Sequence, residues 1–171
     1  LPLIAIMILW INLVTDGLPA LALSVEPIDA HIMQRGPGKP GESILSKSLV
    51  TTMILVGVSM TVVTLGLFSW YLQNGYELQY AQTVAFTVLT LSQLFNVLNC
   101  RSAGKSIFKV GLFSNVNLIY AVLLSFSIHL SVIYTPLRVY FKTVPLNLED
   151  GVYIFFASSL IVVVVEIYKA T

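Results

Sequence analysis

The chain has 171 residues, 57% of them hydrophobic and only 10% charged, with a formal net charge of +1. So apolar a composition belongs to a membrane protein and excludes an ordinary soluble domain, and a net charge this close to zero leaves no basic patch for nucleic acid. The single cysteine, Cys100, excludes an intrachain disulfide and a thiolate cluster for a soft metal, and it reads as a small residue near a helix end.

Five apolar stretches are each long enough to cross about 30 Å of hydrocarbon. They predict an all-α membrane protein, a bundle of five transmembrane helices over residues 3–23, 48–71, 80–99, 115–134 and 149–168. The chain opens inside an apolar run, with no charged n-region and no initiator Met, so the expectation is a piece of a longer protein without a secretory signal.

The first span carries the least expected residues. Asn12, Thr15 and Asp16 stand at i, i+3 and i+4, a spacing that stacks three oxygen-bearing side chains on one face of a regular helix. A carboxylate at mid-span costs roughly 2.5–3.5 kcal/mol on the insertion scale, which makes Asp16 a functional candidate. Gly17 and Pro19 follow at once, and Pro19 lacks an N–H and crowds the carbonyl of Thr15. The helix is therefore expected to be broken around Gly17–Pro19, with freed backbone oxygens at membrane depth, as in transporters that hold cations. Two roles fit these residues: half of a cation site, or hydrogen-bonding side chains that fix helix packing.

The segment Ser24 to Lys47 is rich in Pro and Gly and reads as an ordered turn region. In the second span Gly57, Gly66 and Ser59 offer thin surfaces for helix contact, and Trp70 and Tyr71 stand where an interfacial aromatic belt would be. The third span places Gln93 and Asn96 at i, i+3, with Thr90, Ser92 and Asn99 nearby; these amides suit either cation coordination or interhelical hydrogen bonds. His129 in the fourth span reads as a core histidine, and Glu166 in the fifth as an interfacial partner of Lys169.

Basic residues are distributed unevenly about the spans. Arg35, Lys39 and Lys47 lie in the first loop, Arg101, Lys105 and Lys109 in the third, and Lys169 near the end, against Arg138 and Lys142 on the opposite side. The positive-inside rule then puts the first and third loops and the C-terminus in the cytoplasm of a multi-pass membrane protein.

Counting possible ligands, Asn12, Thr15, Asp16 and Gln93 supply a single negative charge and fewer oxygens than the 6–8 that calcium takes. The remainder has to come from other helices, water or unwound backbone. The sequence contains no phosphate-cradling loop and no nucleophile with its base.

The string Ile8-Leu9-Trp10-Ile11-Asn12-Leu13-Val14-Thr15-Asp16-Gly17-Leu18-Pro19-Ala20-Leu21-Ala22-Leu23 resembles the sixth transmembrane helix of type II P-type cation ATPases, the calcium pumps in particular. Glu26-Pro27, Asp29, Ile32-Met33 and Arg35 resemble the cytoplasmic loop after that helix; Asn96-Val97-Leu98-Asn99 resembles helix eight, and Glu166-Ile167-Tyr168-Lys169 the end of helix ten. The resemblance implies that residues 1–171 are the C-terminal transmembrane domain, helices six to ten. It implies Asn12, Thr15 and Asp16 as ligands of transported Ca2+, with Asp16 shared where two ions bind. Gln93 stands where two-ion pumps have a Glu, which implies one calcium per ATP. ATP and Mg2+ would bind domains outside this sequence, which lacks the family's DKTG motif. The implied partners are helices one to five, the cytoplasmic phosphorylation domain and the lipid bilayer. A pump for manganese, sodium or protons, or a non-catalytic channel or assembly subunit, is the alternative.

Overall fold

A computed structural model describes residues 1–25, 47–101, 111 and 114–170. Most of the turn region expected over Ser24 to Lys47, and Lys105 and Lys109, lie outside the described residues. Among the described residues every element is helical. The first span is a composite of α1 (Ala5–Trp10), a π-helical segment (Ile11–Asp16) and α2 (Gly17–Leu23); α3 (Lys47–Gln73), α4 (Leu78–Cys100), α5 (Val116–Tyr134), the short α6 (Arg138–Phe141) and α7 (Leu148–Ala170) follow. Five stretches are long and apolar enough to cross a membrane, matching the five spans expected from the sequence.

α4 is the axis of the bundle. In its apolar stretch 61% of residues are buried, against 17–28% in the other four, so α4 faces protein nearly all round while they face outward on one side. Its sequence permits this because Ala81, Ala85 and Ser92 are small, which lets neighbouring helices approach, and Thr83 and Thr87 return their hydroxyl protons to the carbonyls of Gln79 and Thr83, at 2.9 and 2.8 Å. Its Val84, Val88 and Leu91 form one cluster with Tyr71, Ile133 and Ile154 of the neighbouring helices, and Val56, Met60, Ile161 and Val165 join α3 to α7 in another. Ser158 of α7 donates to the carbonyl of Val88 at 3.2 Å, a cross-helix bond in the buried interior.

The α3–α4 connection is tight for a definable reason. Gly75 takes φ +81°, Tyr76 N–H donates to the carbonyl of Tyr71 and Gly75 N–H to that of Leu72, both at 3.2 Å, which closes a Schellman motif on the end of α3. At the same end of the bundle Tyr71 turns inward, away from the belt position expected for it, and donates its hydroxyl to Asp150 at 2.5 Å; Trp70 remains half exposed. Tyr80 donates to the other oxygen of the same carboxylate and accepts from Asn147 N–H at 3.3 Å. Asp150 is buried in the first turn of α7, where the helix dipole also favours its charge. Among the described residues Gly57 and Gly66 make no close helix contact, since nothing there lies within 4 Å of where a Cβ would stand at either.

Removing one donor from a buried carboxylate costs about 1.5–3 kcal/mol. Tyr71→Phe is therefore expected to lower the thermal unfolding midpoint of the detergent-solubilised protein, while Trp70→Phe leaves it nearly unchanged. Equal midpoints for Tyr71→Phe and the parent would remove the Tyr71–Asp150 bond from the account.

Candidate cation site in the first span

The first half of the composite span is fixed by packing. Met7 and Ile11 are buried in a cluster with Phe86 of α4, Val132 of α5 and Phe141 of α6, and Trp10 meets Phe141 edge-on with ring centroids 4.9 Å apart. The second half is held by α5, whose N-cap residue Asn115 accepts from Leu118 N–H at 2.9 Å and donates its amide to the carbonyl of Ala22 at 3.3 Å.

Between these anchors the helix is wound wide rather than unwound. The interruption expected at Gly17–Pro19 takes the form of the π segment just before it, and Gly17 itself has ordinary right-handed helical angles. An α-helix pairs each carbonyl with the N–H four residues on, and a π segment with the N–H five residues on. The return from π to α register at Gly17 leaves one carbonyl without a helical donor, and Pro19, having no N–H, leaves a second. The carbonyls concerned lie among Leu13, Val14 and Thr15, because Leu18 supplies the only N–H between Gly17 and Ala20. One of the three is accounted for: Val14 O accepts from the Ser125 hydroxyl of α5 at 3.1 Å.

The sequence-derived site residues divide in this geometry. Thr15 is only 1% exposed, in the segment that packs on α4 and α5, whereas Asn12 and Asp16 open outward from the described helices. The wider π turn carries Thr15 further round the axis from Asn12 than the regular spacing that predicts one shared face. Gln93 stands on α4, and its carbonyl oxygen Oε1 is buried with no hydrogen-bond partner among the described residues; so are the hydroxyls of Thr90 and Ser92. Asn96 and Asn99 line a different space, a cavity of about 370 Å3 between α3, α4 and α7, where Lys169 donates to the carbonyl of Asn99 at 2.9 Å. His129 is the buried core residue expected, with Nε2 at 3.3 Å from Thr87 Oγ1 and its ring edge-on to Phe86 at 4.7 Å.

Among the described residues no three His, Cys, Asp or Glu side chains come together as a metal centre. Apart from the Asp16 carboxylate, the candidate ligands Asn12, Thr15 and Gln93 carry amide and hydroxyl oxygens, the donor type that suits a hard cation. Ser125 escapes a reading by motif. Its only signal in the sequence is a place one turn before His129, the other polar residue buried at this depth of α5.

The whole chain, residues 1–171, matches the family described as "Cation transporting ATPase, C-terminus". It is 41% identical over 162 residues to "Calcium-transporting ATPase" of Bacillus subtilis (strain 168), covering 94% of this chain and 18% of that protein. It is 37% identical over 169 residues to "Calcium-transporting ATPase type 2C member 1" of Homo sapiens and 35% identical over 170 residues to "Calcium-transporting ATPase 1" of Saccharomyces cerevisiae, covering 98% of this chain and 18% of the relative in both cases. The chain thus spans about a fifth of the length of these relatives.

Pro19→Ala would return the missing N–H to this turn, so one stranded carbonyl regains a partner worth about 1 kcal/mol net. A raised thermal midpoint in detergent is the expected result. A lowered one would show that the packing of the buried proline ring outweighs the donor it withholds.

Proposed function

We propose, because this chain belongs to the cation-transporting ATPase family and matches its C-terminal region, that it is the last five membrane helices of an ATP-driven calcium pump and supplies part of the intramembrane ion site. The observation that carries this reading is Asp16, a carboxylate left facing outward on a π-wound turn inside a 19-residue apolar span, beside carbonyls that lack helical donors. An unpaired acid there is costly to the fold by itself, and a bound cation offsets that cost. Calcium as the cargo follows the printed names of the relatives and agrees with an oxygen-only donor set.

In this reading Asn12, Thr15 and Asp16 contribute oxygens from the first span and Gln93 contributes its amide oxygen from α4. The unpartnered Oε1 of Gln93 supports its inclusion, since a buried carbonyl oxygen without a donor is stabilised by a cation. The outward face of Asn12 and Asp16 is where helices one to five of the pump would bring the remaining ligands. ATP and Mg2+ would act on a phosphorylation domain elsewhere in the protein, and the loop between the first two spans would relay its state to the site. The bias of basic residues, seven against two, supports a cytoplasmic position for that loop, for the third loop and for the C-terminus.

Two measurements on the full-length protein test this reading. Asp16→Asn is expected to abolish calcium-dependent phosphorylation by ATP while the protein still accumulates in the membrane; retained phosphorylation would take Asp16 out of the site. The neutral Gln93 leaves too little negative charge for two adjacent calcium ions, so the reconstituted pump is expected to move one calcium per ATP. A ratio near two would place a second ion in the membrane and contradict that expectation.

A further inference from the structure

We infer that Ser125 of α5 is a positioning residue for the cation site: by holding Val14 O it fixes which backbone oxygen of the π turn stays available to the ion. This rests on the reading of Asn12, Thr15 and Asp16 as ligands. The hydroxyl donates to Val14 O at 3.1 Å, and Val14 immediately precedes Thr15 and Asp16. Ser125 is only 1% exposed, so water does not compete for that proton.

The choice of acceptor is what separates Ser125 from ordinary helix serines. A hydroxyl in an apolar helix commonly returns its proton to a carbonyl three or four residues back. Ser127 and Ser131 of the same helix do this, donating to Leu123 O at 2.8 Å and Ile128 O at 2.6 Å. Ser125 commits its single proton to another helix, at one of the three carbonyls, Leu13, Val14 and Thr15, that the π register and Pro19 leave to share the single Leu18 N–H. Asn115, further down α5, binds Ala22 O at the end of α2. The two contacts hold the π segment and the end of α2 against α5, on either side of Pro19.

The consequence is a count of ligands. Three carbonyls of the turn share one helical donor, and the bond from Ser125 holds Val14 O toward α5, away from the outward face of Asn12 and Asp16. With Ala at this position Val14 O either competes for the Leu18 N–H or turns toward the cation, and in both cases the number and direction of free oxygens change. Calcium accepts 6–8 oxygens in flexible geometry, whereas manganese suits a six-oxygen octahedron. Selectivity between these two ions is therefore the property that Ser125 sets.

The test is phosphorylation of the full-length ATPase titrated with Ca2+ and, separately, with Mn2+. Ser125→Ala is expected to shift the ratio of the two apparent affinities by about three- to tenfold, the range one neutral hydrogen bond supports, while the maximal phosphoenzyme level is kept. Ser125→Thr, which retains the hydroxyl, should restore the parent ratio; a role in packing alone would change accumulation and thermal midpoint and leave the ratio where it was. Should Ser125→Ala fail to accumulate, Ser125→Cys, with a weaker donor, should shift the ratio in the same direction. An unchanged ratio in the variant that accumulates, alongside an inactive Asp16→Asn, overturns the role of Ser125. An active Asp16→Asn overturns the ion-site reading beneath it.

Discussion

The structure of this chain turns on a shortage of backbone donors. Hydrocarbon supplies no water to satisfy a free carbonyl, so a spanning helix normally completes every backbone bond within itself. The first span cannot, because Pro19 contributes no N–H and the helix changes register from π to α two residues earlier. Each stranded oxygen has to be met from outside the helix. A serine on α5 meets one of the three oxygens that share the Leu18 N–H.

The neighbouring helices are arranged around that deficit. α5 runs beside the first span and touches it with polar atoms at two levels, through Ser125 and Asn115. α4, α3 and α7 form the other body of the bundle, joined by the apolar clusters and by Ser158 to Val88 O. α4 belongs to both, since Phe86 packs with Met7 and Ile11 and Thr87 meets His129. The helix that carries Gln93 is thus also the one that fixes the distance between the irregular span and the regular ones.

Much of this was legible in the residues, and the exceptions have a common cause. Span number and limits follow from hydropathy alone, because length in a bilayer is a one-dimensional constraint. Asp16 with Gly17 and Pro19 marks the irregular turn without any tertiary knowledge. What local spacing could not supply was the register: the i, i+3, i+4 rule assumes an α-helix, and the π winding buries Thr15 while Asn12 and Asp16 open outward. Tyr71 was misplaced in the same way, since a tyrosine at a span end fits a belt equally well until the distant Asp150 is seen to claim its hydroxyl. Ser125 was invisible because its partner is a backbone oxygen far along the chain, one of three that the π winding and a proline leave to share a single N–H.

Asp150 and its two tyrosines show how a buried acid is held without a metal. A carboxylate near the end of a membrane bundle is an obvious decoy for a divalent ion passing through. Here one oxygen accepts from the Tyr71 hydroxyl and the other from that of Tyr80, so each carboxylate oxygen already has a phenol donor. Because neither partner is charged, raising the salt concentration does little to loosen the arrangement. Asp150 is the one acid buried among the described residues, and with its charge turned onto two phenols it serves the packing of α7 against α3 and α4 in place of a cation.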